Sequence, residues 1–289
     1  MNVDVSTLMS PLRWLIEVVL VFSHSVLTSI GFSANAGITW LLTIFALLIL
    51  LRLLVLPLTI SATKNNQKMV LISLKKVNIL KSYKSRKDAE SKAQKKAELQ
   101  AVKRNADANQ LRSILPQLIQ VPIFIALYSV LKNAQNDNAG VGPLTKQLAS
   151  SFSDAKIFGV PFGSSLLHNR GVASTIVLGV ILALILGTTQ FIVQAVTLRY
   201  GTTDLDKQSP IWRFRPTPLF LAPPILIITS LAVPIGLQLY LAASSLWTLG
   251  QQLLLLRNYP LPTSQAHFLR QKRIENERKI RLSRTSLRL

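Results

Sequence analysis

Residues 38–58 read ITWLLTIFALLILLRLLVLPL, an apolar run broken by one charge, Arg52, and one proline, Pro57. An α-helix rises 1.5 Å per residue and the hydrocarbon core of a bilayer is ~30 Å thick, so ~20 such residues cross it. The stretch is therefore read as a membrane span, 38–59. The fold class follows from it: an all-α integral membrane protein, because every backbone group in lipid must be satisfied within its own segment.

Outward from this span the character of the chain alternates. Downstream, 60–110 is crowded with Lys64, Lys68, Lys75, Lys76, Lys81, Lys84, Arg86, Lys87, Lys92, Lys95, Lys96, Lys103 and Arg104. Met69, Ile72, Val77 and Leu80 recur at helical spacing, and 89–108 is rich in Ala, Lys, Glu and Gln, all good helix formers. Two antiparallel helices turning near Tyr83–Asp88 are expected. A second span, 111–132, contains Pro116 and Pro122. An external loop, 133–171, carries few basic residues. A third span, 172–198, bears Gln190 and Gln194 near its end. After a short basic loop, 199–216, come a Pro-rich fourth span, 217–234, and a fifth, 235–257. A basic tail, 258–289, closes the chain. Upstream, the head 1–37 is moderately apolar but carries Asp4, Arg13, Glu17 and His24. It is read as an interfacial amphipathic helix on the outer surface, with an uncleaved spanning helix as the alternative.

Lys and Arg number 33 against 12 Asp and Glu, a formal charge of +21, and the mean hydropathy is +0.36. The positive-inside rule places the basic segments 60–110, 199–216 and 258–289 in the cytosol. Five transmembrane helices with the N-terminus outside and the C-terminus cytosolic satisfy all three at once. The first basic segment becomes a cytosolic helical hairpin, and the whole a multi-pass protein of the inner (plasma) membrane. Basic clusters beside apolar runs also suit anionic lipids or ribosomal RNA as neighbours.

Arg52 is the sharpest candidate. A guanidinium keeps its charge in a protein, and at the centre of a span it costs ~2.5–3.5 kcal/mol. It either faces a hydrated cavity or snorkels along its stem to the inner head groups. Gln117 and Gln120 on the second span, Gln190 and Gln194 on the third, and Ser244, Thr248 and Gln251 on the fifth are candidates to line the same cavity. The competing reading for each is a helix–helix hydrogen bond, worth ~0.6 kcal/mol on average in membranes. In the tail, Arg270, Lys272, Arg273, Arg278, Lys279 and Arg281 are candidates for ribosome or lipid contact, against a plain solvated tail.

Three stretches resemble the YidC family of membrane-protein insertases. The first is Leu51-Arg52-Leu53-Leu54-Val55-Leu56-Pro57-Leu58, followed by Gln67-Lys68-Met69. The second, the most specific, is Leu115-Pro116-Gln117-Leu118-Ile119-Gln120-Val121-Pro122-Ile123-Phe124-Ile125-Ala126-Leu127-Tyr128. The third is Pro234-Ile235-Gly236-Leu237-Gln238-Leu239-Tyr240, continuing to Leu246-Trp247-Thr248-Leu249-Gly250-Gln251-Gln252. The chain departs from the family where an Asn-Pro and a Gly-Cys pair usually precede the second span; here these are Asn109-Gln110 and Ser113-Ile114. Leu241 stands for an aromatic and Ser245 for an Asn. The resemblance implies the short type without a large periplasmic domain. It implies a hydrophilic groove around Arg52, open to cytosol and lipid, through which nascent membrane proteins enter the bilayer. Ribosomes, secretion-channel components and anionic lipids are its expected partners.

Other classes find little footing. There is no Cys, so disulfides, thiolate metal sites and Cys nucleophiles are excluded. His24, His168 and His267 lie far apart, no HExxH, GxSxG or P-loop pattern occurs, and the five expected spans hold no Asp or Glu. No catalytic residue, metal or cofactor is expected, and the chain is not read as an enzyme. A small-solute transporter or channel, and a ribosome-tethering membrane protein, remain the rival readings.

Overall fold

The computed structural model describes residues 9–84, 88–104, 108–135, 140–166, 172–203 and 217–286. Residues 1–8, most of the 199–216 loop (204–216) and the hairpin tip (85–87) lie outside the described residues, as do the side chains of Thr217, Pro218 and Arg281. In chain order the elements are α1 (Ser10–Ser29), α2 (Gly37–Ser82), α3 (Ala89–Arg104), α4 (Gln110–Gln135), α5 (Lys146–Asp154), β1 (Lys156–Ile157), β2 (Val160–Pro161), α6 (Ala173–Tyr200), α7 (Thr217–Ser230), α8 (Ile235–Asn258) and α9 (Gln265–Ser286). Five of these, α1, α2, α4, α6 and α8, are long and apolar enough to cross a membrane.

Two details differ from the expected outline. The expected first span and first hairpin helix are one element: α2 has 46 residues, about 69 Å of helix at 1.5 Å per residue, more than twice the hydrocarbon thickness. Pro57 lies inside it and removes one ladder hydrogen bond without ending the helix. The expected fourth span is the 14-residue helix α7, while α1, with 20 residues, has the length and composition to span.

The chain forms two compact units. The first comprises Met1–Pro57, Pro116–Val193 and Pro218–Leu249. Its core is built from Ile16 and Leu20 of α1, Ile44 and Leu47 of α2, Leu127 and Leu131 of α4, and Leu237 and Tyr240 of α8. Helix α1 buries a single face, Ile16, Glu17, Leu20, Ser23 and His24, at helical spacing. It ends at Gly31, whose φ of +104° allows the Phe32 amide to reach back to the Leu27 carbonyl.

The segment 140–166 forms a cap over this unit. Thr145 caps α5 by accepting from the Leu148 amide at 3.3 Å. A two-residue hairpin, β1 against β2, turns through Phe158 and Gly159, both at positive φ as a tight primed turn requires. Aromatic packing fixes the cap. His24 stacks on Trp40 at 4.1 Å, Trp40 meets Phe152 edge-on at 5.3 Å, and Phe152 lies 5.6 Å from Phe162. The Trp40 indole donates to Ser151 Oγ at 3.1 Å. At the start of α8, the Ile235 and Gly236 amides donate to the Ser164 and Phe162 carbonyls, satisfying donors that a helix N-terminus leaves open. A Cβ on Gly236 would stand 2.6 Å from Phe152 Cζ, so this close approach needs glycine.

The second unit comprises Leu58–Leu115, Gln194–Thr217 and Gly250–Leu289. Its hairpin is clasped at the base by Asn65, 3% exposed, which donates to the Asn109 carbonyl and to Ser113 Oγ, both at 2.7 Å. Asn65 also accepts from the Asn109 amide at 3.1 Å. Near the tip the Tyr83 hydroxyl donates to Glu98 at 2.9 Å, so the two arms run antiparallel. An elbow at Tyr259–Ser264 leads into α9. There Gln67 donates to the Pro260 carbonyl at 2.9 Å, Lys64 sits over the Tyr259 ring, and buried Ser264 caps α9 through the His267 amide.

Candidate functional site

Arg52 lies on α2 in the first unit and is partly exposed. Its bonds converge on one nitrogen. Nη2 donates to the Ser244 carbonyl at 3.1 Å, to Ser244 Oγ by a very short bond, and to Thr248 Oγ1 at 2.9 Å. Thr248 Oγ1 in turn donates to the Ser244 carbonyl at 2.8 Å. All of these acceptors are neutral and belong to α8.

A guanidinium has five N–H donors in a planar fork. Among the described residues the three contacts are all at Nη2, and Nε is buried with no partner. No acidic side chain among the described residues pairs with the charge. Neutral oxygens orient the group and hold one edge of it, but they do not neutralise it. The guanidinium thus keeps N–H donors unmatched among the described residues, and charge-assisted bonds to a carboxylate are roughly twice as strong as neutral ones.

Of the predicted lining set, Ser244 and Thr248 are brought to Arg52. Gln117 on α4 is exposed, and Gln120 on α4 and Gln190 on α6 are half-buried; none of the three bonds to Arg52. Gln194 and Gln251 belong to the second unit. There it is the neighbouring Gln252 that donates to Thr197 Oγ1, at 2.9 Å. Tyr240 was not among the predicted residues. It is 2% exposed and stands beside Arg52. Its signal was present in the sequence: Tyr240, Ser244 and Thr248 are spaced four apart and so share one face of α8.

The tail residues Arg270, Lys272, Arg273, Arg278 and Lys279 stand exposed on α9. Lys279 pairs with Glu275 at 3.0 Å, one turn back. At 3.6 residues per turn Arg270 and Arg273 fall on one side of α9, with Lys272 and Lys279 on the other. Three or more His, Cys, Asp or Glu side chains able to hold a metal do not gather anywhere among the described residues.

Known proteins match the chain along most of its length. The profile of the family described as "60Kd inner membrane protein" matches residues 31–262. A protein of Tropheryma whipplei (strain Twist), called "Membrane protein insertase YidC", is 31% identical over 274 residues, covering 91% of this chain and 88% of the relative. A protein of the same name from Streptomyces avermitilis is 28% identical over 89% of this chain and 59% of the relative. One from Bifidobacterium longum is 22% identical over 97% and 84%. The profile match takes in α2 through α8 with Arg52 and its α8 partners, and with five helices able to span a bilayer, the chain is a multi-pass membrane protein that belongs to the 60Kd inner membrane protein family.

Proposed function

We propose that this chain inserts nascent membrane proteins into the bilayer through a hydrophilic groove around Arg52. The observation that carries the reading is the guanidinium on α2, partly exposed, held along one edge by Ser244 and Thr248 and left with unpaired donors. A nascent segment enters from the cytosol, and a carboxylate or carbonyl in its short translocated end borrows those donors. The groove shortens the ~30 Å apolar path that the polar end must cross. The apolar part of the segment then partitions into lipid, driven by removal of its side chains from water. Gln117, Gln120 and Gln190 offer further polar contacts along α4 and α6.

The relatives' shared name, membrane protein insertase, supports this reading over a small-solute channel or a ribosome tether. In the same reading the hairpin 60–110 is a cytosolic lid or docking arm. The arginines of α9 meet ribosomal RNA or anionic lipid, and secretion-channel components are further partners. The chain itself hydrolyses nothing.

The deciding experiment reconstitutes the chain in vesicles and follows insertion of a single-span substrate with acidic residues in its translocated end. Arg52→Ala should lower insertion on the order of tenfold, the worth of one charge-assisted bond, and Arg52→Lys should retain most of it. Deleting residues 270–289 should weaken ribosome-coupled insertion only. Indifference to Arg52→Ala, with full loss on deleting the tail, would instead identify a tether.

A further inference from the structure

Helices α6 and α7 touch at Gly187, where an added Cβ would stand 2.5 Å from Ile227 Cδ1. Beside this contact lies a cleft of about 300 Å³, lined by Thr188 and Phe191 of α6 and by Phe220, Pro223, Pro224 and Ile227 of α7. It opens at the surface near the middle of both helices, among exposed apolar side chains that face lipid in a membrane protein.

The walls of this cleft are apolar, but its helix lacks two of its ordinary amide donors. In a helix the Phe220 carbonyl accepts from the amide four residues on, or three residues on in a tighter turn. Those residues are Pro224 and Pro223, and neither has an N–H. Two consecutive prolines thus deprive one carbonyl of both of its ordinary donors. At membrane depth no water is at hand to replace them. Thr188, exposed on α6, lines the same cleft and brings a hydroxyl to it.

We propose that this cleft is a docking site for the transmembrane helix of a client protein, specifically for a Ser, Thr, Asn or Gln side chain near the middle of that helix. The partial negative charge of the Phe220 carbonyl calls for an N–H or O–H donor, and the Thr188 hydroxyl accepts or donates in turn. Acyl chains at this depth carry no donor, and the hydroxyls and amines of lipids lie at the interface, so the electrostatic match is to a polar side chain carried into hydrocarbon by a helix. Phe191 and Ile227 supply the apolar contact for the rest of that helix. A polar client side chain, costly when bare in lipid, is held here until its own partners arrive. The inference rests on the insertase reading and extends it from the translocated end of the client to its span.

The test uses the full chain in vesicles of phosphatidylethanolamine and phosphatidylglycerol. Two single-span clients differ only in a mid-span Asn or Leu. Thr188→Val, which keeps the shape and removes the hydroxyl, should lower insertion of the Asn client about threefold, the ratio that one average membrane hydrogen bond supports. Pro224→Ala, which returns a donor to the Phe220 carbonyl, should do the same. The Leu client should respond to neither. Because the chain has no Cys, Phe191→Cys gives a single crosslinking position. It should form a disulfide with a Cys beside the client Asn, and several-fold less with the Leu client. Equal effects on both clients, no effect on either, or a crosslink that ignores the client residue would overturn the proposal. Loss of both clients in Arg52→Ala alone, with the cleft variants silent, would leave the groove standing without the cleft. The reverse pattern would leave the cleft without the groove.

Discussion

With Arg13 one helical turn earlier in the sequence, Glu17 is a carboxylate 0% exposed on the buried face of α1. Its partners are backbone amides: Val141 N–H donates to one oxygen at 3.0 Å and Gly142 N–H to the other at 2.7 Å. A Cβ on Gly140 would fall 2.2 Å from Glu17 Oε2, so the loop backbone closes directly over the carboxylate. Glu17→Ala leaves two inward-facing amides without acceptors and should cost about 2–3 kcal/mol, read as a lower unfolding midpoint in detergent. An unchanged midpoint would mean that the amides find other acceptors. This contact was not legible in the sequence, because a charge amid apolar residues gives no sign of which distant backbone it will meet. Arg52 was legible for the opposite reason. Its charge persists at any depth, so a polar environment was required of the fold, and Ser244 and Thr248 were the polar residues with helical spacing nearest to the right depth.

Among the elements, the 60–110 hairpin was visible as a charged, helix-favouring stretch with a polar turn, but its first arm was not recognisable as the continuation of the first span. Nothing at Thr59 or Ile60 ends a helix, and Pro57 removes only one bond of the ladder, so apolar and charged halves join without a seam. The base of the hairpin uses one position, Ser113, at which the chain departs from its family pattern. Asn109 caps α4 by accepting from the Leu111 amide at 2.9 Å while its backbone exchanges bonds with Asn65, and Ser113 accepts from the same Asn65 amide. Of the departures noted in the sequence, Ser113 is thus part of this clasp, beside an Asn109 that keeps the family's asparagine. Asn65→Ala removes all of its bonds and strands the Asn109 amide. The expected result is faster amide hydrogen exchange at residues 108–113, with protection of α1 and α8 in the first unit unchanged. Uniform loss of protection in both units would instead make Asn65 a support of the whole fold.

At the scale of the whole molecule, the geometry of the first unit makes a definite expectation for the course of α1. The 140–166 segment is met near the start of α1 by the helix itself and, at the other end, by the loop that leaves α1. Near its start, Trp14 and Glu17 pack on Gly142 and its neighbours; at its end, His24 Nε2 lies 3.0 Å from the Ala34 carbonyl, and Ser151 of α5 donates to Asn35 at 2.8 Å. A helix that crossed the bilayer would leave an external loop after one such contact. Contact at both ends suits a helix lying along the outer face, with exposed Trp14, Phe22, Val26 and Ile30 dipping into the interface. Length and composition alone allow α1 to span, so accessibility must decide. The cysteine-free chain permits single-Cys variants labelled in intact cells with a membrane-impermeant maleimide. Phe158→Cys, at an 85% exposed hairpin tip, should label from outside, and Leu99→Cys on α3 only after the membrane is opened. These two fix the orientation that the positive-inside rule gives. Met9→Cys then separates the courses of α1. Labelling from outside, together with Phe158→Cys, places the helix on the surface; labelling only after opening would make it a span, and would put the N-terminus in the cytosol beside the basic hairpin.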